Sequence, residues 1–161
     1  MRIGVTGHRL LREQTAWDWV ATEIEKILAR EGEPLVGLSC LAEGTDQVFA
    51  KAVLRLGGRL EAILPFRGYG QRFSEGPERA EYQELLARAA SRQILRRSGT
   101  DEEGYFEAGK QVVDASDLLI AVWDGHPARG IGGTADIVAY ALSVGREVLH
   151  LDPETRQVRR L

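Results

Sequence analysis

Five short apolar runs recur along the chain, at Arg2–Thr6 (RIGVT), Leu35–Ser39 (LVGLS), Leu60–Leu64 (LEAIL), Leu118–Trp123 (LLIAVW) and Glu147–Leu151 (EVLHL). Runs this short and this apolar read as buried strands. Helical periodicity fills much of the intervening sequence. Thr15–Arg30 sets Trp17, Val20, Ile24, Ile27 and Leu28 on one face, with Thr15 and Asp18 spaced as a capping pair. Thr45–Leu56 does the same with Val48, Phe49, Ala52, Val53 and Leu56, and Gly57-Gly58 stops it. Thr134–Ser143, ended near Gly145, is a further helix. Strands alternating with amphipathic helices predict a parallel sheet covered on both faces, that is, a three-layer, doubly wound α/β fold.

The pattern changes between the third and fourth runs. Residues 65–117 carry no strand signal: an aromatic loop (Phe66, Tyr69, Phe73) leads into a helix from Glu78 to Leu95, a polar break (RRSGTDEEG) and a helix from Tyr105 to Ala115. Within the first of these helices Arg88, Arg92 and Arg96 recur every fourth residue, a basic stripe suited to solvent or a subunit contact. Right-handed crossovers place the first three strands on one side, so the long insertion returns the chain to lay strand four beside strand one. The predicted order is 3-2-1-4-5. The charged tail, Asp152–Leu161, frays unless it adds a small edge strand. With 161 residues, 43% of them hydrophobic, the chain suits one domain spanning 1–161.

In such a sheet, ligands bind outside the carboxyl ends of the strands where the order reverses, here between strands one and four. Two segments converge there: Gly7-His8-Arg9, and the loop from Asp124 to Thr134 with Gly125, Gly130, Gly132 and Gly133. Gly132-Gly133-Thr134 run into a helix start, whose free amides and positive dipole end suit a phosphate. Arg9 and Arg129 can pair with phosphate, and His8 can donate a hydrogen bond or shuttle a proton. On the neighbouring strand, Glu43, Gly44 and Asp46 open a helix where acids also sit for the dipole alone; otherwise Glu43 or Asp46 holds ribose hydroxyls or a water. Asp124 and Asp136 can bind a sugar or act as a base, and Asp136 is equally an ordinary first-turn acid. Trp123 stacks on a base or packs in the core.

Absences narrow the classes. There is no Walker lysine motif and no GxGxxG after the first run, and His126 and His150 lack metal-ligand spacing, so no metal and no cofactor are expected. A lone cysteine, Cys40, excludes an internal disulfide framework and fits a reducing compartment. Met1–Thr6 leads directly into a strand and no apolar run approaches membrane-spanning length, which points to the cytoplasm. Twenty-one basic against 24 acidic residues, a net charge of −3, make nucleic acid an unlikely partner on this reading.

GVTGHR, GLSCLAEGTDQVFAKAVLRLGGRLEAILPF, AGKQVVDASDLLIAVWDG and GGTADIVAYA together resemble the superfamily that joins the Rossmann domain of DNA-processing protein A to the Lonely Guy (lysine-decarboxylase-like) phosphoribohydrolases. The second segment is similar to the SGLARGID pattern of the former, and the last to the PGGxGTxxE phosphate loop of the latter. The resemblance implies a Rossmann-like fold and a pocket for a nucleotide or nucleotide derivative, with Gly132, Gly133 and Thr134 on its phosphate. This sequence has Ile137 where PGGxGTxxE has its catalytic glutamate, and the nearest acid, Asp136, precedes it by one position. The expectation is therefore a homodimeric binding protein or sensor for a nucleotide-derived ligand. The alternative is an N-glycoside hydrolase or deoxyribosyltransferase-like enzyme acting on nucleoside monophosphates, with Asp136 or Glu43 at the ribosyl centre.

Overall fold

The computed structural model describes residues 1–97, 99–128 and 130–161. One sheet runs through it. Its strands are β1 (Arg2–Gly7), β2 (Val36–Ser39), β3 (Arg59–Leu64), β4 (Ser91–Ile94), β5 (Leu118–Val122), β6 (Glu147–Asp152) and β7 (Gln157–Arg160), in the spatial order β4-β3-β2-β1-β5-β6-β7. The inner five strands keep the expected 3-2-1-4-5 order and are parallel; the sheet then gains a strand at each edge, so the full order differs from the expectation. β4 pairs in parallel with β3, and β7 pairs antiparallel with β6.

Helices α1 (Gln14–Arg30), α2 (Thr45–Arg55) and α3 (Pro77–Arg88) pack on one face, and α4 (Asp101–Asp114) and α5 (Thr134–Ser143) on the other. The sheet separates two apolar clusters. Val20, Ile24, Phe49, Val53 and Leu85 meet Ile3, Val5 and Ile120 on the first face; Val112, Val113, Ile137 and Ala141 meet Leu38, Leu119 and Val148 on the second. Every residue of β5 is buried, because both faces of this central strand are covered.

Three local expectations are corrected. The helix expected to reach Leu95 ends at Arg88, and Ala89 turns extended (φ −65°, ψ 137°). The Ala90 amide then bonds the Leu60 carbonyl at 2.8 Å, starting β4. Arg88, Arg92 and Arg96 consequently lie on a helix, a strand and the segment after it, so no single-helix basic stripe exists. β4 is exposed throughout, as an edge strand can be, so it shows none of the apolar alternation that marks inner strands. Second, the polar break contains a helix start: Thr100 caps α4 by accepting the Glu103 amide at 3.2 Å. Third, Thr15 and Asp18 do not cap α1, which begins after Glu13; Thr15 instead donates to the Glu13 carboxylate, and Asp18 accepts from Gln14. None of the helices among the described residues is long and apolar enough to cross a membrane.

Candidate functional site

β1 lies between β2 and β5, so the reversal of strand order falls where expected. Gly7 is in register with Val122, and the His8 amide bonds the Val122 carbonyl at 3.1 Å, which draws the two following loops together. A crevice of about 1060 Å³ opens along this carboxyl edge. It runs from Pro65 and Tyr69 beyond β3, past the loops after β1 and β5, to Glu154 and Arg156 beyond β6. Gly7, His8, Arg9, Asp46, Asp124, Gly132, Gly133 and Thr134 all line it, so segments more than a hundred positions apart share one cavity.

The wall beside β1 is held by α2. The Thr45 amide and hydroxyl both donate to the His8 carbonyl, at 3.2 and 2.8 Å. Thr45 comes this close because Gly7 has no side chain: a Cβ there would lie 2.6 Å from Thr45. Gly44, at φ +81°, packs directly on the Arg9 backbone, where a Cβ would collide with the Arg9 carbonyl. Gly44 thus supports the loop from behind and does not line the crevice. His8 Nε2 lies 3.1 Å from the Asp124 amide and 3.4 Å from its carboxylate, which ties the β1 loop to the β5 loop. The Arg9 guanidinium lies 5.2 Å from the centroid of the Tyr105 ring, and no described carboxylate is within ion-pair distance of it. A cation held over an aromatic face with no described carboxylate partner is suited to an anionic ligand.

Asp46 closes the floor of this wall. One carboxylate oxygen accepts the Cys40 and Ala42 amides, at 3.1 and 3.4 Å. Burial pushes the carboxyl up to about 6, against the pull of the Ala42 amide, the Ser39 hydroxyl, the Cys40 amide and Arg9. Burial also raises the Cys40 thiol and the Tyr69 hydroxyl, and the charge of Asp46 adds to both shifts.

The opposite wall is the glycine loop. Gly133 is the N-cap of α5 (φ −69°, ψ 171°), and Thr134 is the first helical residue. Among the described residues, no acceptor is found for the amides of Gly133, Thr134 and Ala135. The Gly132 amide, by contrast, is taken: the Asp136 carboxylate accepts it at 3.0 Å. Asp136 therefore folds back on its own loop as a first-turn acid and lies outside the crevice lining. Gly132 also packs against α4, where a Cβ would sit 3.0 Å from the Glu102 carbonyl. Gly125 lies outside the lining, and Arg129 lies outside the described residues. Glu43 lines a small adjoining hollow of about 80 Å³ that shares Arg9, Ala42, Tyr69 and Tyr105 with the crevice, and neither Glu43 nor Asp136 lines the crevice itself.

Several residues at this edge escaped sequence reading. Tyr69 and Tyr105 come from the long insertion, whose aromatics carry no positional signal. Glu154 and Arg156 follow the carboxyl end of β6, and that position alone assigns them to the edge. Asp124, His126 and Glu154 place one ligand atom each within 4.8 Å of one another, a grouping that linear spacing does not reveal and that has the donor types to hold a divalent ion. The Asp124 carboxyl is raised by burial, but the His126 amide and the His8 and His126 rings outweigh this and hold it below its ordinary value.

No family model matches the chain, and no curated protein matches it in sequence. Solved structures match in fold. DNA processing protein A from Streptococcus pneumoniae superposes with a TM-score of 0.64 at 17% identity, covering 92% of this chain and 49% of that one. DNA processing protein A from Helicobacter pylori, described for its single-stranded DNA binding mode, superposes with a TM-score of 0.65 at 15% identity, covering 93% and 64%. The molybdenum cofactor carrier protein from Chlamydomonas reinhardtii gives 0.58 at 21% identity, covering 94% and 76%. The chain thus spans about half to two thirds of the length of the two DNA processing proteins.

The second of these likenesses corrects one expectation. A protein of this fold binds single-stranded DNA, so nucleic acid is not an unlikely partner on the ground of net charge. Net charge is an average over the whole chain and does not report how charge is placed; Arg9, Arg12 and Arg156 line the crevice together with Glu13, Asp46, Glu102, Asp124 and Glu154. The chain is a Rossmann-like α/β protein, with the fold of DNA processing protein A and of the molybdenum cofactor carrier protein.

Proposed function

We propose that residues 1–161 form a single binding domain whose crevice takes a nucleotide or nucleotide-derived ligand, with the ligand's phosphate at the start of α5. The observation that carries this reading is the set of amides of Gly133, Thr134 and Ala135, without described acceptors in the wall of a cavity that also holds Arg9. Helix dipole, amides and guanidinium all favour an anion there. His8 and Asp124, tied to each other, fix the separation of the two walls. The lone thiol Cys40 supports a reducing compartment such as the cytoplasm. Asp136 and Glu43 lend the hydrolase alternative no geometric support, since neither lines the crevice.

Thr134→Pro tests the phosphate position. Proline is well tolerated as the first helical residue, and extended Gly133 suits the position before it, so the substitution deletes one amide while keeping the helix. Titration of inorganic phosphate and of nucleoside monophosphates, followed by calorimetry, is expected to show roughly tenfold weaker binding in Thr134→Pro. Thr134→Ala, which removes only the hydroxyl, should bind nearly as the parent does. Arg9→Ala should weaken phosphate binding by a similar factor. Unchanged phosphate titrations in both Thr134→Pro and Arg9→Ala would remove the site. A single-stranded oligonucleotide in the same panel tests whether the anion is part of a polymer.

A further inference from the structure

Asp124, His126 and Glu154 meet where β5 and β6 deliver their following loops to the crevice, and all three line it. The two strands are parallel and in register, Val122 beside Leu151, and the Trp123 amide continues the ladder to the Leu151 carbonyl at 3.0 Å. The residues just beyond them are therefore brought side by side. Each backbone is then pinned. The His126 amide donates to Asp124 Oδ1 at 2.9 Å, and the Trp123 indole N–H donates to the His126 carbonyl at 2.8 Å. The Glu154 amide donates to the buried Asp152 carboxylate at 2.9 Å.

The side chains, by contrast, are left to themselves. Among the described residues, no hydrogen bond or ion pair engages the His126 ring or the Glu154 carboxylate, and no lysine or arginine pairs with Asp124. Arg156, two residues beyond Glu154, donates instead to the Thr15 hydroxyl at 3.0 Å. One ligand atom from each of the three residues lies within 4.8 Å of the other two, so a single point lies within about 2.8 Å of all three. Side-chain shifts of less than about 1 Å close that to the roughly 2.0–2.2 Å of a first-row metal bond. Two carboxylates so close repel, and a cation between them relieves the repulsion. The third donor selects the kind of cation. Carboxylates alone serve magnesium and calcium, whereas an imidazole nitrogen joining them favours a first-row transition ion.

We propose that Asp124, His126 and Glu154 form a divalent-metal site of the manganese or zinc class at the β5–β6 end of the crevice. Three protein donors leave coordination positions for water or for oxygen atoms of a ligand in the cavity. The proposal goes beyond the nucleotide reading and does not rest on the start of α5.

Manganese(II) alone, titrated into the whole protein in phosphate-free buffer, tests it. The electron spin resonance signal of free manganese counts the bound ions, and backbone amide spectra locate them through paramagnetic broadening. One ion per chain is expected, with the His126 and Glu154 resonances broadened first. Glu154→Gln and His126→Ala should each weaken binding by at least about tenfold. Both side chains are exposed, so the metal-free variants should melt as the parent does. Magnesium at equal concentration should leave the manganese bound, since it gains little from an imidazole.

If His126→Ala bound manganese as the parent does, or magnesium at equal concentration displaced it, surface charge alone would be holding the ion and the site would be overturned. Broadening centred elsewhere, or several weakly held ions per chain, would overturn it too. With no phosphate present, these results stand whether or not the start of α5 binds an anion.

Discussion

Two helices begin at the same edge of the sheet and are treated in opposite ways. The start of α2 is covered by the chain itself: the His8 carbonyl takes the Thr45 amide and hydroxyl, and the Arg9 backbone packs on Gly44. The start of α5 faces the crevice, with the Thr134 and Ala135 amides free of described acceptors. Both are anion-favouring in principle, yet only one is offered to a ligand. The covered start serves the open one. By clamping the β1 loop it fixes His8, which holds Asp124, the first residue of the segment that leads into α5. One helix start has become structure so that the other keeps a defined position.

If α2 is the clamp, its glycine contact should be costly to disturb. Gly44→Ala combines a positive φ of +81° with a collision against the Arg9 carbonyl. With ψ at −123° this backbone lies outside the left-handed helical well, in a region other residues adopt only at roughly 1–3 kcal/mol, and forced overpacking adds roughly 1–3 kcal/mol. Gly125→Ala supplies the comparison: its φ is +84° and its Cβ would meet nothing within 4 Å, so only the backbone cost applies. Thermal unfolding should therefore separate the two by several degrees, with Gly44→Ala the lower. Equal melting temperatures would mean that the Arg9 loop yields easily and that α2 clamps nothing.

This contrast also explains what could be read from the sequence. The inner strands were legible because burial on both faces leaves an unbroken apolar run, as in LLIAV of β5. β4 was hidden, and β7 was left open as a possible edge strand of the tail, for the opposite reason: their residues are exposed, and backbone pairing with β3 and β6 defines them. At the site, the topological switch identified which loops meet, and Gly7, Arg9 and Gly133 do line one cavity. Their separate tasks were not legible. Gly44 and Gly132 look alike in a glycine-rich reading, but one packs on Arg9 and the other on α4. Asp136 sits in the right loop, yet a hydrogen bond to Gly132 four residues back decides where it points. Net charge is an average over the whole chain and says nothing of where charges lie at the edge, which is why it misled about nucleic acid.

Asp46 sharpens the comparison through pH. Its carboxyl rises from 3.8 to about 6 on burial, equivalent to about 3 kcal/mol between its two protonation states. A carboxyl raised in the folded state favours folding while protonated. That contribution is complete below pH 3.8 and is lost as pH rises through about 6. Roughly half of it is lost between pH 5 and pH 8. Chemical denaturation across that range should show a decline that Asp46→Asn removes, with the variant's advantage greatest at pH 8. Parallel curves for parent and variant would place the burden of the ionised carboxylate elsewhere, because Arg9, Cys40 and Tyr69 are its charged or titratable neighbours and remain unchanged.

The smallest effect is the most direct probe of the two helix starts. Valine replaces threonine at nearly constant shape and keeps the branched Cβ, so Thr45→Val and Thr134→Val each delete a single hydroxyl at the first residue of a helix. At Thr45, which is fully buried, the lost bond is the one to His8 O at 2.8 Å, and about 1 kcal/mol of stability should go with it. The His8 carbonyl still has the Thr45 amide, so the cost stays at that level. At Thr134 the hydroxyl has no described partner, and the change should stay within about 0.5 kcal/mol. Saturating phosphate should stabilise Thr134→Val as it does the parent, since the amide is untouched. If Thr134→Val instead proved the costlier of the two, the start of α5 would be held by contacts within the protein, and the crevice would lose the feature that distinguishes its two walls.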